Sequence, residues 1–399
     1  MSARGSQKDF VRSAELFKPT LALFYKKALF SPLLKIADSI AKSIHLFPTQ
    51  KRQMKWNRFQ GWVFTRQLTN FECKLSKFTN MPPANAKEIY ARLASNESFP
   101  FQGQPWWLDA VCGPEGWGAA IAFDDQGMPN GALPFGKTGW NGLPVVTMPP
   151  LTSYLPVRIN SGQAQKRERA YHLEGKILQQ LISQLPASWM FAQQYQPALQ
   201  NGLPFSFEGF KTLIRYTYVV EDMKDLARVF RGMESSARNH IRNARKLVEV
   251  NRDGRWENLY GMVEHSFRRQ GKKMPFSKKL LERADSSLAE RNMRTIYLAK
   301  DGLRIHAAAC VVFDGERASF LLSGTHPEFR SSGALYLLVW EAIKDAARHS
   351  KTFDFEGSMH PPIERVFRSF GARRVPYLRV VRYRNRLFEA MAALLGKNR

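Results

Sequence analysis

Ser323-Gly-Thr-His-Pro-Glu-Phe-Arg-Ser-Ser-Gly-Ala-Leu335 follows an apolar strand, Ala318 to Leu322, and opens a strong helix, Ala334 to His349. Thr352 to Glu356 then reads as another strand, so the run is the turn of a strand, helix, strand unit and points to an α/β fold. A helix start of this kind presents unpaired backbone N–H groups and the positive end of the dipole, and glycine lets a diphosphate approach the backbone. Arg330 adds a charge-assisted contact for phosphate oxygens. The plainer reading is a helix start capped by Ser331 or Ser332. The run itself does not have the GxxxxGK[ST] form, so it is not a nucleoside triphosphate loop of that kind.

The strand after the helix, Phe353-Asp-Phe-Glu-Gly-Ser358, carries the second informative pattern. Alternation sends Phe353 and Phe355 one way and Asp354 and Glu356 the other, and a helix-covered sheet rarely tolerates two carboxylates without partners. Glu356, at the end of the strand, is a candidate general base toward an amine if burial raises its pKa. The alternative is a structural pair with arginine or backbone N–H groups. His306, opening the apolar strand His306 to Phe313, is a second candidate base or a core histidine. Trp106-Trp107 either stack on an acceptor or anchor a helix in the core.

Outward from these stretches the same order of elements occurs twice. Thr295 to Ala299, His306 to Phe313 and Ala318 to Leu322 precede the second helix. Trp117 to Phe123, Gly131 to Phe135 and Val145 to Met148 precede a helix, Gln165 to Gln184, and a strand, Trp189 to Gln193. Each half then closes with a short helix, a turn glycine (Gly209, Gly371) and a last strand, Thr212 to Val220 and Val375 to Tyr383. Between the halves, Ala227 to Val250 reads as one helix, with Arg238, Arg242 and Arg245 on one face, either gripping phosphate or simply solvated.

The chain has 399 residues, of which 44% are hydrophobic and 24% charged, an ordinary globular balance with length for more than one domain. Its 60 Lys and Arg against 34 Asp and Glu give a net charge of +26, which favours nucleic acid, a membrane surface or a phosphorylated ligand. Residues 1–80 hold 15 Lys and Arg against four acidic residues, and Met81-Pro-Pro-Ala-Asn marks a break after them. In this leader, Ser31 to Leu46 reads as a basic amphipathic helix, free to dock on another domain or lie in an anionic interface. The expected division is a basic, partly helical extension at 1–80, a first unit at 81–226 and a second, with the donor site, at 227–399. Cys73, Cys112 and Cys310 form no CxxC pair, so no metal site or disulfide framework is expected. Neither a membrane-spanning run nor a secretory signal is visible. The cytoplasm fits best, with the 31–46 helix available to the inner face of the membrane.

Several of these stretches resemble one family. Phe353-Asp-Phe-Glu-Gly-Ser-Met, Ile363-Glu-Arg-Val-Phe-Arg-Ser-Phe-Gly-Ala, Ser236-Ala-Arg-Asn-His-Ile-Arg-Asn-Ala-Arg-Lys and Gln104-Pro-Trp-Trp-Leu-Asp-Ala are similar to segments of the FemAB-like acyltransferases of the GNAT superfamily. The likeness runs from about Phe99 to Arg386. It implies two GNAT-like mixed-sheet units in tandem and transfer of an acyl or aminoacyl group to an amine. In the wider superfamily the donor pyrophosphate sits on a [QR]xxGx[GA] loop. Arg330, Ser331, Ser332, Gly333 and Ala334 match its first five positions, and Leu335 departs from the sixth.

Three readings compete. The favoured one is an N-acyltransferase using acyl-CoA, acetyl-CoA first among donors, on a small amine, amino sugar or cell-envelope precursor. In it Glu356 or His306 is the base, residues 330–334 bind the donor, and Asp354 and Trp107 contact the acceptor. The second takes an aminoacyl group from tRNA, which the charge would suit. The third is a non-catalytic binder of nucleic acid or anionic membrane.

Overall fold

The computed structural model describes residues 85–95, 99–162 and 166–394. The leader helix expected at 31–46, and Cys73, lie outside the described residues. By contact density the chain divides into two compact units. Among the described residues, Gly139–Val145 and Ala187–Trp189 belong to one and the remainder to the other. In the described part of the first, Asn141 and Gly142 turn the chain at φ 50° and 79°, and the Trp189 N–H donates to the Pro144 carbonyl at 2.9 Å.

The strands, in chain order, are β1 (Trp117–Phe123), β2 (Pro129–Trp140), β3 (Leu143–Thr147), β4 (Arg158–Ile159), β5 (Met190–Tyr195), β6 (Lys211–Val220), β7 (Glu249–Asn251), β8 (Arg294–Asp301), β9 (Arg304–Phe313), β10 (Arg317–Thr325), β11 (Thr352–Asp354) and β12 (Arg373–Tyr383). The helices are α1 (Ala86–Ala94), α2 (Pro105–Cys112), α3 (Arg167–Ser183), α4 (Leu203–Phe207), α5 (Leu226–Gly232), α6 (Ser235–Ala244), α7 (Trp256–Arg269), α8 (Lys278–Ala289), α9 (Ala334–His349), α10 (Pro361–Ser369) and α11 (Arg386–Leu394). None of the described helices is long and apolar enough to cross a membrane.

The strands form one mixed sheet in the order β1-β2-β3-β5-β12-β6-β11-β10-β9-β8-β7, with β4 beside β2. Both halves have the expected element order, and both turn glycines take positive φ, 76° at Gly209 and 72° at Gly371. The closing strands, however, are exchanged. β6, from the first half, lies against β11 of the second, while β12 lies between β5 and β6. The fold is thus a pair of GNAT-like mixed-sheet units joined through each other's last strands.

The helix expected over Ala227–Val250 is broken into α5 and α6, with β7 at its end. Met233 is extended, and the Glu234 N–H donates to the Ser369 carbonyl at 2.8 Å instead of continuing the helix. Ala237, Ile241 and Ala244 of α6 pack in a core that includes Phe353, Phe355 and the buried face of α9. Arg238, Arg242 and Arg245 lie outside it: Arg238 donates to the Arg231 carbonyl, Arg242 to Asn239, and Arg245 sits 3.5 Å from Glu341. A separate cluster sets Phe101, Trp107 and Val111 against Ala284 and Leu288 of α8 and Val312 of β9.

Candidate active site

β10 and β11 run parallel for three residue pairs only, Arg317 with Thr352, Ala318 with Phe353 and Ser319 with Asp354. Beyond Ser319, β10 continues to Thr325 against β9, while the chain leaving β11 turns away at Glu356 and Gly357, both at positive φ. The two carboxylates stand where these strands part.

Asp354 is fully buried. The Tyr154 hydroxyl donates to Oδ2 at 2.5 Å, while the Thr217 hydroxyl and the Glu356 N–H donate to Oδ1 at 2.5 and 2.8 Å. The Arg317 guanidinium lies 3.3 Å from Oδ2 and also donates to the Tyr154 hydroxyl. With protein donors on both oxygens, Asp354 fixes Tyr154 and the turn at Glu356. The expected acceptor contact gives way to this positioning arrangement, because a buried carboxyl group needs hydrogen-bond partners from the protein.

Glu356 is 4% exposed. Gln102 Nε2 donates to Oε1 at 2.5 Å and the Ser153 hydroxyl to Oε2 at 3.0 Å. Burial, reinforced by the nearby Asp354 charge, pushes its pKa up to about 7, against the pull of the Gln102, Ser319 and Ser153 hydrogen bonds. A carboxyl so placed is partly ionised near neutral pH and able to take up a proton. Its backbone φ of 56° is costly for a residue with a side chain. Tyr154 is itself raised by burial and by Asp354, so its hydroxyl stays protonated, and its ring meets Tyr377 edge to face at 5.6 Å.

The remaining expected site residues are elsewhere. Trp107 is fully buried and its indole N–H donates to Thr152 at 3.0 Å, so it is a core anchor with no face left for an acceptor. His306 pairs through its carbonyl with the His326 N–H, at the far end of β9 from Val312, which sits opposite Ser319. At about 3.3 Å per residue that is roughly 20 Å from the carboxylates. Its ring stacks on Phe329 at 3.9 Å, and burial lowers its pKa.

In the expected donor loop, Gly333 has φ 72° and opens α9. A Cβ there would lie 2.7 Å from the His240 carbonyl oxygen, so α6 backbone is what demands glycine. The Ser332 hydroxyl accepts from the Ala334 N–H at 3.2 Å, which spends one of the helix-start donors. Ser331 and Arg330 are exposed, and burial, with the nearby Arg330 charge, lowers the pKa of Arg269. These two guanidiniums give the loop a cationic rim suited to phosphate. Gln102, Ser153, Tyr154, Thr217 and Arg317 were not expected at a site from sequence. The one local hint was that polar Thr152-Ser-Tyr follows a Pro149-Pro150 turn in which Leu151 has φ 56°.

Residues 233–361 match a family model described as an acetyltransferase (GNAT) domain. The crystal structure of FemX aligns at 14% identity with a TM-score of 0.53, covering 73% of this chain and 95% of FemX. Residues 233–361 are thus an acetyltransferase (GNAT) domain, and the chain shares its fold with FemX. More distant alignments include L-PGS from Bacillus licheniformis (10% identity, 79% of this chain and 96% of that one, TM-score 0.43). A conserved protein of unknown function from Bacteroides thetaiotaomicron aligns at 11% identity over 76% of this chain and 99% of its own, with a TM-score of 0.46. No curated protein matches the sequence. The matched domain holds the loop at 330–334 and both carboxylates, whereas Gln102 and Ser153 reach Glu356, and Tyr154 reaches Asp354, from outside it.

Proposed function

We propose that the protein transfers an acyl group from acyl-CoA to a primary amine, with Glu356 as the base. The observation that carries this reading is a buried carboxyl with a pKa raised to about 7, standing where β10 and β11 part. The amine nitrogen attacks the thioester carbonyl, a C–N bond forms, the C–S bond breaks, and the proton lost by the nitrogen passes to Glu356. Gln102 and Ser153 hold that carboxyl in place, and the Asp354–Tyr154–Arg317 network holds the wall beside it. Orientation of this kind supplies much of the rate in acyl transfer, since the nucleophile needs only deprotonation and alignment. Arg330, with Arg269 beside it and the start of α9 behind, is the place for the donor's diphosphate.

A second reading, aminoacyl transfer from tRNA, draws support from the net charge of +26 and the same cationic rim. Release of free thiol from acetyl-CoA in the presence of an amine panel tests the first. Absence of thiol release from every acyl-CoA, together with steeply salt-dependent binding of charged tRNA, would move the donor to the second.

A further inference from the structure

Where this chain buries an arginine it usually supplies a carboxylate: Arg317 has Asp354 and Arg294 has Asp285, at 3.3 and 2.8 Å. One pair breaks the pattern. In the antiparallel β6–β12 ladder Arg215 stands opposite Tyr377 and Leu213 opposite Arg379, so the two arginines are diagonal neighbours on one sheet face. Arg379 is 8% exposed, and no hydrogen bond or ion pair of its guanidinium occurs among the described residues. The Arg215 Nε is buried and also without a hydrogen-bond partner. Burial and the neighbouring Arg215 charge both depress the Arg379 pKa, and tyrosines 377 and 383 are what oppose them. Two adjacent guanidiniums without a counter-charge are costly in a part-buried sheet, and an anion between them would remove that cost.

We propose that Arg215 and Arg379 form a subsite for an oxyanion, carboxylate or phosphate, carried by the amine acceptor. Their assignment to the acceptor rests on the acyl-transfer reading of Glu356, whereas anion binding itself does not. Tyr377 joins the two places: its hydroxyl is influenced by Arg215 and Arg379 on one side and by Asp354 and Glu356 on the other. On β6 the same face presents Val219 opposite Asp354, then Thr217 bonded to Asp354, then Arg215. Arg215 is therefore about 7 Å along the strand from Thr217. β11 pairs with β6 only at Val219 and Val220, the chain beyond it follows β6 as far as Tyr216, against which Gly357 packs, and Leu213, two residues beyond Arg215, is 48% exposed. An acceptor whose amine meets Glu356 would carry its anionic group about 7–10 Å away, a span that excludes the α-amine of a free amino acid paired with its own carboxylate. Paired guanidiniums suit such a group because each can donate two parallel N–H bonds to one oxyanion.

The test uses the full chain and its R379M variant, which keeps length and removes charge. Inorganic phosphate, compared with chloride at equal ionic strength, should raise the parental melting temperature and leave R379M unchanged. In phosphate-free buffer R379M should be as stable as the parent or more so. An equal phosphate response in both proteins, or none in the parent, overturns the subsite. A large loss of stability in R379M also overturns it, since the guanidinium would then have a structural partner. R215M repeats the comparison at the less buried member. In acylation assays, R379M should raise the KM for carboxylate- or phosphate-bearing amines by about 10- to 100-fold, the size of lost charge-assisted hydrogen bonds, and spare neutral amines. Comparing carboxylate with phosphate acceptors identifies the group. A rise in donor KM instead would assign the anion to the donor and overturn the acceptor assignment. Should no amine be acylated by the parent while phosphate still stabilises it alone, the acyl-transfer reading fails and the anion site stands.

Discussion

Replacing Glu356 by Gln separates a catalytic carboxyl from a structural one, because the two roles predict opposite effects on the same variant. Gln keeps the shape and can still meet Gln102 and Ser153, but it cannot take up a proton. The chemical step should fall about 100-fold or more, the usual contribution of a positioned base. The parental single-turnover rate should rise with pH through about 7, where Glu356 ionises, and the E356Q profile should lack that rise. Any titration of the acceptor amine is common to both proteins and cancels in their ratio. Stability moves the other way. The folded-state pKa is raised from the model-peptide value of 4.5 to about 7, so the fold binds this proton more tightly than the unfolded chain does. Stability is therefore lost as pH climbs from about 4.5 to about 7, by roughly 3 kcal/mol in all. E356Q never incurs that loss, and should unfold at higher urea than the parent at pH 8 while matching it near pH 4.5. Urea melts at both pH values and single-turnover kinetics with saturating donor measure the two effects. Near-parental turnover of E356Q would refute the catalytic role, and an identical stability gap at both pH values would refute the raised pKa.

Gly333→Ala should destabilise by about 1–3 kcal/mol in a urea melt, because φ 72° and the His240 carbonyl both oppose a Cβ, whereas exposed Arg330→Ala should leave stability within about 0.5 kcal/mol and raise donor KM. Arg317→Gln leaves the buried Asp354 without its cation and should cost about 3–5 kcal/mol, read by the same melts. His306→Leu should hold parental turnover and stability within about 1 kcal/mol, since neither ring nitrogen has a hydrogen-bond partner to lose and the ring is far from Glu356; a 100-fold loss of kcat would return His306 to the reaction.

What was legible in the sequence was what is local. Alternation alone set Phe353 and Phe355 into the core and Asp354 and Glu356 onto the opposite side, and demanded partners for both acids. The helix at Ala334–His349 and the turn glycines Gly209 and Gly371 were equally plain, because periodicity and positive φ are properties of a few adjacent residues. The identity of the partners was not legible. Gln102, in a short 3-10 turn at Phe101–Gly103, and Ser153, in the loop after β3, each reach Glu356 across more than 200 residues of chain. For Trp107 the local sequence favoured a core anchor over a stacking platform, and its packing against α8 decides for the core.

The exchange of closing strands explains why the arginine pair escaped notice as well. Gly209-Phe210 before β6 and Gly371-Ala372 before β12 are near-equivalent signals, and nothing in either strand says whether it closes its own half or the other. Had each strand stayed with its own half, β6 would lie beside β5 and β12 beside β11, so Arg379 would not pair with Gln194 of β5 nor Val219 with Asp354 of β11. Because β12 instead enters between β5 and β6, Arg379 is buried between Gln194 and Leu213, and Tyr377 is brought against Tyr154. The same exchange sets β6 against β11, so Thr217 of the first half supplies a hydrogen bond to Asp354 of the second. The surroundings of the candidate base and the burial of Arg379 thus both depend on where the closing strands pair. A substitution that weakened the β6–β12 ladder at Leu378 or Val380, on the opposite sheet face from Arg379, should therefore disturb the arginine pair and, through Tyr377, the surroundings of Glu356 in the same variant, lowering both the phosphate-induced rise in melting temperature and the single-turnover rate.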